Sequence, residues 1–173
     1  MASGTPLVAP DRAKLLHGLT YVVDPPGLSQ PVLGSVLDYW EKKRGTRRMP
    51  RRADIDALEL KPYLRHLFLI EALGGGEFRY RLIGSEITER YGRNSTGKTV
   101  REIYGAMPAI CDWMTDMLLA VTQQARPVLA SGPLSAINKD HVVSESLHLP
   151  LADDGEIVTM IFGATRYSVA GRG

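Results

Sequence analysis

Apolar positions recur along this chain with two different periods, and the switches between them mark out its elements. Leu33, Val36, Leu37 and Trp40 fall at i, i+3, i+4 and i+7, which predicts an amphipathic helix. Ser29 suits its N-cap, Pro31 its first turn and Gly45 its stop. Before it, Asp24-Pro25-Pro26-Gly27 breaks any element, and Lys14 to Val23 reads equally well as a short helix or a strand. Asp54 can cap a short helix over Ile55 to Leu64.

The period then drops to two. His66 to Leu73 and Glu77 to Ile83 read as strands joined by Gly74-Gly75-Gly76, with Phe78, Tyr80 and Leu82 on one face and Arg79 and Arg81 on the other. Ser85 opens a short helix that stops at Gly92, and Thr99-x-x-Glu102 is a capping box for another. The longest helix follows from Pro108 to Ala125, with Ile110, Trp113, Met114, Met117, Leu118 and Val121 on one stripe. Three strands close the chain: Val128 to Ala136, His141 to Leu151 and Ile157 to Tyr167. Consecutive hairpin strands exclude a doubly wound parallel sheet, which needs a helix at each crossover. The pattern predicts an α+β fold, a five-stranded antiparallel sheet with short helices and one long helix on one face. Residues 1–28 form an N-terminal extension, 29–168 the domain and 169–173 a flexible tail.

Composition narrows the function classes. With 173 residues, 44% hydrophobic and 23% charged, the chain can bury a domain-sized core, and a net charge of +2 gives no general pull toward nucleic acid or membrane. One cysteine excludes an internal disulfide framework and zinc sites built on cysteine pairs. Met1 to Pro10 lacks a signal-peptide pattern and no apolar run reaches a spanning length, so the cytoplasm is the expected compartment.

Three stretches carry candidate chemistry. Gly92-Arg93-Asn94-Ser95-Thr96-Gly97-Lys98-Thr99 satisfies G-x-x-x-x-G-K-[ST], the loop that wraps phosphates in backbone N–H groups with Lys98 on the β/γ oxygens and Thr99 on magnesium. That loop needs a buried strand leading into the first glycine, whereas Glu86 to Tyr91 is polar and helical in pattern. A helix stop at Gly92 and a cap at Thr99 are the favoured reading, with nucleotide binding as the alternative. Lys42, Lys43, Arg44, Arg47, Arg48, Arg51 and Arg52 could track a phosphate backbone, but no aromatic interleaves them and Glu41, Asp54, Asp56 and Glu59 stand beside them. A tying role for the run is favoured, and nucleic-acid binding through Arg44 to Arg52 is the second alternative. The interior is the third candidate. Tyr80, Met107, Cys111, Met114, Met117, His148, Met160 and Phe162 are the expected lining of a small-molecule pocket, with Ser144, Ser146 and His148 on one strand face and Glu145 on the other. His148, turned inward, could meet a ligand or a haem iron. No G-x-S-x-G, no His-Glu-x-x-His and no paired Cys and His support catalysis, so an enzyme is not expected.

One set of residues is similar to a known family. Trp40, Arg44-Gly45, Arg48, Pro50, Arg52 and Asp54-Ile55-Asp56 resemble the opening signature of a bacterial PAS-domain family common in alphaproteobacteria. Leu64-x-x-x-Phe68-Leu69, Phe78 to Gly84, Tyr91-Gly92-Arg93, Thr96 to Thr99, Leu149-Pro150-Leu151 and Asp154-Gly155 continue the resemblance over about residues 30 to 168. It implies a PAS fold, a cytoplasmic sensory or interaction role, and often a homodimer through the helix before the first strand, here Leu33, Val36, Leu37 and Trp40. With no output domain apparent in the sequence, a separate signalling partner protein is implied. No haem or flavin signature is present, and the ligand is left open.

Overall fold

The computed structural model describes residues 12–171. The expectation for Met1 to Pro10, and the last two residues of the expected tail, lie outside that range. In chain order the elements are α1 (Arg12–Leu16), β1 (Thr20–Val23), α2 (Pro31–Arg44), β2 (Leu67–Gly74), β3 (Glu77–Ile83), α3 (Ser85–Tyr91), α4 (Val100–Tyr104), α5 (Pro108–Gln124), β4 (Val128–Leu134), β5 (Lys139–Leu151) and β6 (Met160–Val169). Short 3₁₀ turns cover Arg52–Asp54, Lys61–His66 and Ser135–Ile137.

The sheet is antiparallel throughout, in the order β1-β4-β5-β6-β2-β3. It has six strands where the pattern predicts five. The additional one is β1, inside the expected extension. The ambiguous stretch Lys14 to Val23 divides into a helical turn and a strand, and that strand pairs with β4 at the sheet edge. At the other end β6 runs to Val169, the first residue of the expected tail.

Strand alternation gives the sheet two apolar faces. Ser144, Ser146 and His148 of β5 point to one side, where α5 lies. Leu147, Leu149 and Leu151 point to the other, where α2 packs, and all three are fully buried. The helices therefore do not share one face: α2 covers the sheet behind β5 and β6. Its own cap also differs from expectation. Gln30 takes the N-cap position without a side-chain bond, while the Ser29 hydroxyl donates to both oxygens of the Glu145 carboxylate at 2.8 and 2.9 Å.

No α-helix forms over Ile55 to Leu64, where only the end from Lys61 turns as 3₁₀. The Asp54 carboxylate turns back instead, accepting from the Arg51 N–H at 2.8 Å and from Arg47 at 2.8 Å. These bonds, chiefly the backbone one, hold its pKa down at about 2. Among the described residues no helix is long and apolar enough to cross a membrane.

Candidate functional site

Between α5 and the near face of the sheet lies a cavity of about 130 Å³. It exists because the sheet side is built from short residues. Ala130 of β4 and Thr165 of β6 flank Ser146, and Gly132 and Gly163 stand opposite Ser144 and His148. None of these reaches the helix, which contributes Ile110, Trp113, Met114 and Met117 from above. Gly163 is required there, since a Cβ on it would sit 2.0 Å from the Leu147 carbonyl oxygen and 2.4 Å from the Phe68 ring.

The sheet side is polar and mostly self-satisfied. The Ser146 and Thr165 hydroxyls share a hydrogen bond at 2.8 Å, and Ser144 donates to the Gly132 carbonyl at 3.3 Å. His148 Nδ1 is 3.1 Å from the Ser146 carbonyl, and its ring lies against Phe68 with centroids 4.9 Å apart. Burial pulls the pKa of His148 down to about 4, so the imidazole is neutral at pH 7.

The other end is lined by phenols. Tyr80 from β3, Tyr91 from α3, Tyr104 from α4 and Tyr167 from β6 converge there. Burial pushes all four hydroxyls above their ordinary pKa. Tyr91 is drawn partly back by a hydrogen bond with Tyr104 and by the positive charge of Arg93. Tyr80 and Tyr91 are partly buried and line the cavity. Among the described lining residues, Arg93 is the only ionised side chain and no carboxylate is present.

Of the residues expected in a pocket, the structure brings together Tyr80, Met114, Met117 and His148. The other four are elsewhere. Met107 precedes α5 and packs against the core outside the lining. Cys111 faces a separate polar groove beside Gly75, Gly76 and Thr99. Met160 and Phe162 point to the far face, where the Phe162 ring meets Tyr39 of α2 edge-on at 6.5 Å. The phenols at 91, 104 and 167, together with Thr165 and Arg93, escape a sequence reading. β6 alternation would have grouped Thr165 with Tyr167, but only strand pairing brings them beside Ser146 and Ser144.

Three other expectations are corrected or given their physical content. The α2 stripe is internal: Leu33 and Val36 are fully buried, Trp40 nearly so, and Leu37 packs partly buried against the same core. These residues are closed to a partner copy by the protein's own sheet. The phosphate-loop sequence follows the helix α3 and not a strand. The N–H groups from its second glycine on already have acceptors: Gly97 donates to the Tyr80 carbonyl at 2.7 Å, Lys98 to the Ser95 carbonyl at 3.1 Å and Thr99 to Glu102 at 2.7 Å. Tyr80 N–H returns a bond to the Lys98 carbonyl at 3.0 Å, so this stretch edges β3. Six of the seven cations in the basic run are tied to other groups of the protein. Lys43 meets Glu59, Arg44 meets Glu41, and Arg47 and Arg51 meet Asp54, while Arg48 and Arg52 donate to the carbonyls of Gln124 and Ile55.

Among the described residues no group of three His, Cys, Asp or Glu side chains could hold a metal ion. No curated protein matches the sequence. A solved structure titled "Structure of an RNA-binding Light-Oxygen-Voltage Receptor" is similar at 10% identity with a TM-score of 0.46, covering 86% of this chain. The alignment spans 38% of that longer chain. A family description of the PAS domain matches residues 29–166, from the start of α2 into the last strand. An antiparallel sheet with α5 laid across it, and that match over most of the length, make this chain a member of the PAS-domain family.

Proposed function

We propose that this PAS domain is a cytoplasmic sensory or protein-interaction module, not an enzyme, that binds a small molecule between α5 and the sheet and signals to a separate partner protein. The cavity carries this reading: about 130 Å³ of mixed lining between α5 and a sheet face of short residues. Its size suits a ligand smaller than a haem or a flavin. A ligand can shift the module only as far as it binds two conformations differently. The movable wall is α3 with the loop after it, since seven residues of helix and an irregular segment separate the phenol end from solvent.

Homodimerisation belongs to the same reading, through a surface other than the buried α2 stripe. Phosphate binding at Gly92 to Thr99 draws no support from the geometry, because the stretch follows a helix and its Gly97, Lys98 and Thr99 N–H groups already have acceptors, and neither does nucleic-acid binding at Arg44 to Arg52, whose arginines are paired.

Native mass spectrometry of freshly purified protein tests the proposal, reporting a retained small molecule and the oligomeric state together. A cavity-filling Ala130→Leu variant should lose that molecule while remaining folded. A wild-type chain that carries nothing and takes up no apolar probe such as toluene would overturn it.

A further inference from the structure

We propose that the cavity selects a small monocarboxylic acid with a single ring or a short apolar body, its carboxylate held by Arg93 and the tyrosine hydroxyls. This rests on the reading of the cavity as a ligand site and adds the chemistry of the ligand. Size comes from the volume: 130 Å³ is close to the roughly 150 Å³ cavity known to admit benzene. The body of such an acid would lie against Phe68, Met114 and Met117.

Charge comes from the lining. Arg93 has five N–H donors, and among the described residues its side chain makes one hydrogen bond, from Nη2 to the Ile103 carbonyl at 3.3 Å. No carboxylate among the described residues pairs with it, unlike the arginines of the basic run. Arg93 is exposed to solvent at the rim of a mostly apolar cavity, so a ligand carboxylate there could exchange water for its planar fork of donors. The phenol end adds donors in the same place. Among the described residues the hydroxyls of Tyr80 and Tyr167 have no hydrogen-bond partner, so they are free to donate to a ligand oxygen. The Glu86 carboxylate, whose charge acts on Tyr167, is already held by His66, Arg166 and Arg65.

Titration of the full chain with benzoate, benzamide and toluene at pH 7, followed by NMR, separates the possibilities. Benzoate should bind at least tenfold more tightly than benzamide. Arg93→Gln should weaken benzoate by roughly tenfold or more, the worth of a charged hydrogen bond, and leave toluene within about twofold. Arg93→Lys, which keeps the charge, should retain part of the preference. Toluene binding with benzamide equal to benzoate, or with benzoate indifferent to Arg93→Gln, overturns the acid selectivity and leaves the cavity standing. Failure of all three probes removes the ligand site itself. Should Arg93→Gln not fold, the wild-type ranking of benzoate over benzamide decides.

Discussion

The indole Nε1 of Trp40 donates to the backbone carbonyl of Pro150 at 2.9 Å, joining α2 to β5 across 110 residues of sequence. The ring itself is buried at 3% exposure. This bond, with the Tyr39–Phe162 contact beside it, makes α2 part of the domain core. Trp40→Ala should therefore cost about 3 to 5 kcal/mol in urea unfolding, the usual range for a buried tryptophan. A dimer-interface tryptophan would behave differently: the oligomer would dissociate while the domain kept its stability.

Helical spacing made the α2 stripe legible, because periodicity identifies which side chains share a face. It does not identify what covers that face, and here the cover comes from leucines on β5 far along the chain. The same limit explains Phe162 and Met160. In β6, Ile161, Phe162, Gly163 and Ala164 are all buried, since helices lie on both sides of the strand. Alternation disappears in such a strand, and no local pattern says which residues look toward α5. The hairpin β2–β3 was legible as far as Tyr80, its outer face being partly wet, but a register shift between Leu69 and Ile70 then leaves Leu82 exposed and turns Ile83 to the cavity.

His148 gives the chain a pH dependence whose sign is fixed. Its folded pKa, about 4, lies below the ordinary histidine value of 6.5, so the unfolded chain binds the extra proton first. The stabilisation is complete above pH 6.5 and is lost as the pH falls toward 4, by about 3 kcal/mol over that window. Denaturation of wild type and His148→Leu at pH 7, 5.5 and 4.5 checks this. The difference between the two should shrink as the pH falls, and a constant difference would show that His148 is not held neutral by burial.

Thr99 and Lys98 are adjacent yet should respond in opposite ways to what a phosphate loop demands. The Thr99 hydroxyl accepts from the Glu102 N–H at 3.1 Å while the Glu102 carboxylate accepts from Thr99 N–H, a complete capping box. Thr99→Ala should lose about 1 kcal/mol. Lys98→Ala, at an exposed position, should stay within about 0.5 kcal/mol, and calorimetry should show no ATP binding by either wild type or variant. ATP binding lost in Lys98→Ala would restore the nucleotide reading.

Two glycines offer a paired test of packing. Gly163→Ala forces a methyl into the Leu147 carbonyl and the Phe68 ring and should cost about 3 kcal/mol. Gly34→Ala in α2 has nothing within 4 Å of the new methyl. There the gain in helix propensity should stabilise by about 0.5 to 1 kcal/mol. Midpoints of urea denaturation for the two variants should move in opposite directions.

The bonds between Gly97-Lys98 and Tyr80 close one flank of the sheet. An outermost strand left bare offers its amides to any neighbouring molecule, the ordinary route to fibres and swapped assemblies. By engaging both backbone groups of Tyr80 at the middle of that row, a short irregular segment interrupts the β3 margin, so the letters that mimic a nucleotide cradle stand where an added strand would have to pair.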